Sequence, residues 1–192
     1  MKVDIYNTDN KYQIIYADPA WTFRTYSPKG KLKKSAENHY SCMKINDIWD
    51  MPVEKIADDN CVLFLWVTFP LLQEGIETIK KWGFTYKTCA FNWAKLNKTA
   101  DTYFMGCGYW TRANSEICLL ATKGKPKRES KSVKQLIVSR IGRHSEKPEE
   151  ARDRIVKLCG DLPRIELFAR QHADGWDCWG NEAPESVLEV NN

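Results

Sequence analysis

Five short runs rich in β-branched and aromatic residues, at 13–17, 61–68, 116–122, 136–139 and 164–169, are separated by stretches with apolar residues at helical spacing. That alternation constrains the fold most, because strand-then-helix repetition closes most simply into an α/β domain with a largely parallel sheet. Leu72, Ile76 and Ile79 mark one helix that stops at Gly83. Ala151, Ile155 and Leu158 mark another that begins near Ser145 or Pro148 and stops before Gly160. Each should lay one apolar stripe on the sheet. Three long polar or aromatic segments, 22–46, 92–114 and 123–134, interrupt the pattern. Segments of that length without structure of their own are expected to be lids or binding surfaces. With 192 residues and 43% apolar content, one domain accounts for 1–192, with a core over about 13–182 and polar tails.

Composition narrows the class. The first ten residues lack an apolar signal core, and the longest apolar run, 61–67, is too short to span a bilayer, so a soluble cytoplasmic protein is expected. Seven cysteines without a Cys-x-x-Cys pair argue against a disulfide framework or a zinc site, and the three histidines imply no metal. Net charge is only +4 but uneven. Residues 22–48 hold six Lys/Arg against Glu37 and Asp47, and residues 123–147 hold nine against Glu129 and Glu146. Such clustering is the footprint of a phosphate-backbone binder, with solvated lysine loops as the alternative.

Asp18-Pro19-Ala20-Trp21 follows directly on the apolar run Ile14-Ile15-Tyr16-Ala17. At the C-terminal edge of an open α/β sheet these residues sit where such folds bind ligands. A carboxylate there accepts hydrogen bonds from an exocyclic amine while Trp21 stacks on a flat ring. The alternative is an ordinary Asp-Pro turn with a core tryptophan. Further along come Tyr40-x-x-Met43, Leu63-Phe64-Leu65-Trp66-Val67, Trp110-Thr111-Arg112 through Ser115-Glu116 and Lys123-Gly124, and His144-Ser145-x-Lys147-Pro148-Glu149-Glu150. Glu166-Leu167-Phe168-Ala169-Arg170 and Gly175-Trp176-Asp177-x-Trp179-Gly180-Asn181-Glu182 close the series.

In this order the segments resemble the MT-A70-like family of N6-adenine methyltransferases, whose active-site motif is Asp-Pro-Pro-Trp. The resemblance implies a Rossmann-like class I methyltransferase fold with helices on both faces and a permuted motif order, catalytic motif first and cofactor segment last. It implies S-adenosylmethionine as cofactor and, from the compact form, a bacterial or phage source. Carried over, Asp18 and the Pro19 carbonyl accept the two amino hydrogens of adenine, and Trp21 packs on the flipped base. Lys147 would face the methionine carboxylate, with Asp18 near the sulfonium and Glu166, Arg170, His172, Asn181 and Glu182 around the rest of the cofactor. Glu166 has an equal alternative, pairing with a neighbouring base. Substrate contacts would come from Lys29, Lys31, Lys33, Lys34, Arg112, Lys125, Lys127, Arg128, Arg140, Arg143 and His144, with Tyr40, Tyr109 and Trp110 as stacking surfaces. Trp66, Trp82 and Trp93 are expected in the core. Ala20 and Ala173 depart from the family, at positions where a second proline and an asparagine are usual. Ala20 should loosen the turn without removing either acceptor.

The resulting expectation is a DNA adenine N6-methyltransferase, acting alone, as a homodimer or with a related chain. Its alternatives are an RNA adenosine methyltransferase, a non-catalytic nucleic-acid-binding partner, and an enzyme acting on a small amine.

Overall fold

The computed structural model describes residues 1–21, 43–108, 110–142, 146–181 and 183. Strands β1 (Tyr12–Ala17), β2 (Ala57–Val67), β3 (Thr85–Leu96), β4 (Ser115–Lys123), β5 (Leu136–Arg140), β6 (Arg164–Leu167) and β7 (Asp177–Trp179) form one sheet in the order β5-β3-β4-β2-β1-β6-β7. Every neighbouring pair is parallel except β2–β4 and β3–β4, so β4 alone runs against the rest. Helices α1 (Ile45–Trp49), α2 (Val53–Ile56), α3 (Leu72–Lys81) and α4 (Glu150–Cys159) cover it.

Period-two alternation sorts the side chains onto two faces. Ile15, Ala17, Leu63, Leu65 and Leu119 pack with Ile48, Ile79 and Trp82 under α1 and α3. Ile14, Tyr16, Phe64, Trp66, Phe91, Trp93, Cys118 and Ile137 pack with Ala151 and Ile155 of α4 on the other. Helices therefore lie on both faces, as the resemblance implied, and Trp66, Trp82 and Trp93 are buried. Both expected helices form and end before Gly83 and Gly160.

Two strands differ from the sequence reading. Segment 92–114 was expected as a loop, yet its first five residues complete β3, a 12-residue strand whose first four residues are exposed and break the apolar pattern. β7 has three residues, too few for any periodicity to register. Among the described residues no helix is long and apolar enough to cross a membrane, and no group of three or more His, Cys, Asp or Glu is placed to hold a metal.

Candidate active site

The same alternation that builds the α4 face continues past the strand ends and changes chemistry there. Ile14 and Tyr16 lead to Asp18, Phe91 and Trp93 lead to Lys95, and Cys118 points back to Glu116. Because β4 is antiparallel, its N-terminal end meets the C-terminal ends of β1, β2 and β3, and so Glu116 joins Asp18 and Lys95 on one edge. Lys147 enters from the segment before α4. Its Nζ donates to Asp18 Oδ2 at 2.7 Å and lies 3.3 Å from Glu116 Oε2. Lys95 Nζ pairs with the other oxygen, Oε1, of Glu116. The result is a chain Asp18–Lys147–Glu116–Lys95 with two charges of each sign.

Two indoles floor this chain. Lys147 Nζ is 5.6 Å from the Trp66 ring centre and Lys95 Nζ 4.7 Å from that of Trp93, both within cation–π range. The rings meet edge to face at 6.4 Å, and Trp66 Nε1 donates to Tyr16 Oη at 2.7 Å. Lys147 keeps only 10% of its side chain exposed and Asp18 23%. For Glu116, burial acts to raise the carboxyl, but Lys147 and Lys95 outweigh it and hold it down at about 2. For Lys147, burial acts to lower the ammonium, and Asp18 and Glu116 more than offset this, raising it above the usual lysine range. Burial lifts the Asp18 carboxyl above its ordinary value; Lys147 opposes that rise and Glu116 adds to it.

The turn itself is closed locally. Trp21 N–H donates to Pro19 O at 2.8 Å, occupying one lone pair of that carbonyl, and Met43 N–H donates to Ala20 O at 3.1 Å. Trp21 is 9% exposed, sits among the core residues of the α1–α3 face, and donates its Nε1 to Trp66 O at 3.0 Å. The core-tryptophan alternative therefore describes Trp21, and its ring anchors the turn instead of presenting a plate to a base.

On the β6–β7 side, Phe168 takes a left-handed φ of 64° immediately after β6. Ala169 N–H donates to Trp179 O at 2.9 Å, and a Cβ on Gly180 would strike Ala169 O, so the two strand ends are pressed together. Arg170 leaves from one end and is half-buried, Asn181 from the other and is exposed. Arg170 lies close enough for its charge to act on Asp18. His172 is exposed, with Nε2 3.3 Å from the Met1 ammonium. Glu166 receives both Arg152 Nε at 2.7 Å and Arg152 Nη2 at 3.1 Å. Pairing with a neighbouring base is thus the geometry Glu166 has, and its two oxygens are engaged by α4. Ala173 packs partly buried against the α4-face core.

Of the expected substrate residues, Trp110 and Arg112 are exposed and Arg140 pairs with Asp101 at 2.6 Å. Among the described residues, no ion pair or hydrogen bond joins any of the three to the Asp18 chain. Lys29, Lys31, Lys33, Lys34, Tyr40, Tyr109, Arg143, His144 and Glu182 lie outside the described residues. The loop holding Lys125, Lys127 and Arg128 is corrected: it leaves β4 at its C-terminal end, where Lys125 N–H donates to Asn60 Oδ1 at 2.8 Å beside the start of β2. That is the edge opposite Asp18, so part of the basic stretch 123–147 faces away from the site. Glu116 and Lys95 were given no role from the sequence. The signal was present as an acid and a base two residues beyond buried aromatic or thiol positions, but reading it needs the strand directions.

A family model, MT-A70, matches residues 12–182, which includes every residue of the ion-pair chain. The chain belongs to the MT-A70 family. A Type II methyltransferase, M.MunI, from Mycoplasma sp is 36% identical over 94% of this chain and 81% of that protein. The N(6)-adenosine-methyltransferase subunit METTL3 of Danio rerio is 30% identical over 90% of this chain but only 28% of its own length. The human METTL3 catalytic subunit is 28% identical with the same 28% coverage of its own length. This MT-A70 chain therefore spans most of the Mycoplasma relative and little more than a quarter of the METTL3 proteins.

Proposed function

We propose that this MT-A70 protein, an adenine methyltransferase by family, transfers a methyl group from S-adenosylmethionine to the exocyclic nitrogen of adenine in DNA. The observation that carries the reading is Asp18, a strand-end carboxylate whose pKa burial raises above its ordinary value and which, among the described residues, is held by one ammonium on one oxygen. Lys147 occupies Oδ2, which among the described residues leaves Oδ1 to accept from an amine. The second lone pair of Pro19 O accepts the other amine hydrogen. Adenine's nitrogen lone pair is delocalised into the ring, and two acceptors aimed at its hydrogens favour the localised form by positioning and electrostatics. Asp18 takes no proton before transfer; its raised pKa suits it to receive one afterwards.

The residues present fit S-adenosylmethionine. Lys147 and Arg170 supply cations for a carboxylate, and Asn181 and His172 supply polar groups for hydroxyls and ring nitrogens. Thr68 Oγ1, at the end of β2 on the same edge, is a buried hydroxyl without a partner among the described residues. When bound, the cofactor supplies an electrophilic methyl group. DNA is favoured over RNA because the likeness to the Type II methyltransferase covers 94% of this chain and 81% of that protein, whereas the METTL3 likeness covers 28% of that protein.

Transfer of labelled methyl from the cofactor to DNA and to RNA, with Asp18→Ala alongside, tests the reading. Label in DNA that is lost in the variant is the expected result. Label in RNA alone would reassign the substrate, and binding to either polymer with no transfer would leave a platform protein.

A further inference from the structure

The Gly106-Cys107-Gly108 stretch takes no part in that chemistry, yet it shapes the most exposed aromatic surface among the described residues. Beyond β3 the chain doubles back: Leu96 bridges Tyr103, Asn97 N–H donates to Thr102 O at 2.9 Å, and Phe104 N–H donates to Lys95 O at 2.8 Å. A second turn grows from the first, closed by Gly106 N–H to Ala113 O at 2.8 Å and, at its base, by Lys95 N–H to Asn114 O at 2.9 Å. A Cβ on Gly106 would stand 2.8 Å from Ala113 O and one on Gly108 would overlap Thr111 O, so only glycine allows a tip this tight. Trp110 stands at that tip, fully exposed, with a left-handed φ of 57°. Tyr103 and Met105 below it are 61% and 65% exposed. A non-glycine residue held left-handed is strained, and an indole in water recovers no hydrophobic free energy until something covers it.

One guanidinium lies on the outer turn and a second on the inner. Arg112 Nη2 reaches Met105 O at 3.5 Å, and Arg140 Nη1 lies 3.5 and 3.4 Å from Asn97 O and Lys98 O of the inner turn. We propose that Trp110 is a wedge for duplex DNA: the hairpin tip enters the base stack, and the indole fills the space of the adenine that swings out to Asp18, while Arg112 and Arg140 meet flanking phosphates. The inference rests on the DNA reading above and deepens it to a double-stranded substrate. Lys95 and Glu116, which bracket the base of the hairpin, are the same residues that tie Lys147 to Asp18, so wedge and amine acceptor share one edge of the sheet. Extruding a paired base gives up its stacking and pairing, and a flat apolar side chain inserted in the gap offsets part of that loss.

Two measurements on the full chain decide it. The first is methyl transfer by wild type, Trp110→Ala and Trp110→Phe onto one unmethylated genomic DNA, as duplex and after heat denaturation. The second is affinity for a short duplex with and without a single abasic site, where the gap already exists. Expected are a loss of about tenfold or more on duplex for W110A, transfer to denatured DNA within about twofold of wild type, and substantial retention by W110F. Wild type should also prefer the abasic duplex about tenfold, and W110A should not. Equal loss on both DNA forms, unchanged duplex transfer in W110A, or a wild type active only on denatured DNA overturns the wedge. A wild type that transfers to neither form removes the enzyme reading, and the abasic preference then decides the wedge: lost in W110A it stands, absent or unchanged it falls.

Discussion

One ammonium group, on Lys147, serves two carboxylates, and the inequality between them sets the chemistry of the site. Glu116 has two cations and stays ionised; Asp18 shares one, and burial leaves it easier to protonate. The acid limb of the kcat profile should therefore lie above the usual aspartate value of about 3.9. Glu116→Gln removes the neighbouring negative charge and leaves Lys147 to Asp18 alone, so the limb should move to lower pH; an upward move would contradict this account. Asp18→Asn keeps the shape but presents an amide donor to the substrate amine, and should lower kcat by about 10²–10³ with DNA affinity little changed, measured under cofactor saturation. Glu116 also links site to stability. Its folded carboxyl lies at about 2, below the ordinary value of about 4.3, so its contribution is complete above that value and disappears as pH falls toward 2. Acid titration of unfolding for wild type against E116Q should show this loss in wild type only.

At the scale of elements, α4 is fastened to β6 by Arg152 and Glu166, whose side chains are 16% and 12% exposed. Glu166→Ala leaves a mostly buried guanidinium unpaired and should cost about 3–5 kcal/mol in a denaturant titration, without raising KM for the cofactor at a temperature where the variant is folded. A raised KM with stability intact would return Glu166 to the cofactor. The 123–134 loop makes the complementary case. It leaves the sheet on the side away from Asp18, so replacing Lys125, Lys127 and Arg128 together by alanine should leave the salt dependence of DNA binding unchanged. Replacing Arg112 or Arg140 should flatten that slope by about 0.9 each. The strand runs and both helices were legible because they are periodic and apolar. β3 is not legible as a strand because its four exposed first residues and its polar Asn92 and Lys95 mask the alternation.

For the molecule as a whole, the seven-stranded sheet carries a core on each face, and Trp82 lies in the one under α1 and α3, fully buried and donating to Ile48 O at 2.8 Å. Trp82→Ala should lower stability by about 3–5 kcal/mol in chemical unfolding, an effect that core packing predicts and a surface role does not. The amino-acid sequence alone determined the α/β class, the strand-end position of Asp18-Pro19-Ala20-Trp21 and the family, because local periodicity and motif order are written residue by residue. It did not determine that Trp21 packs inward, that Glu166 belongs to Arg152, or that part of a basic stretch faces away from the site. Those depend on which face and which edge a residue reaches. The direction of β4 decided the last of them and one thing more: one antiparallel strand sends Lys125 to the opposite edge and brings Glu116 to Asp18, and strand direction is set by long-range pairing that no local pattern encodes.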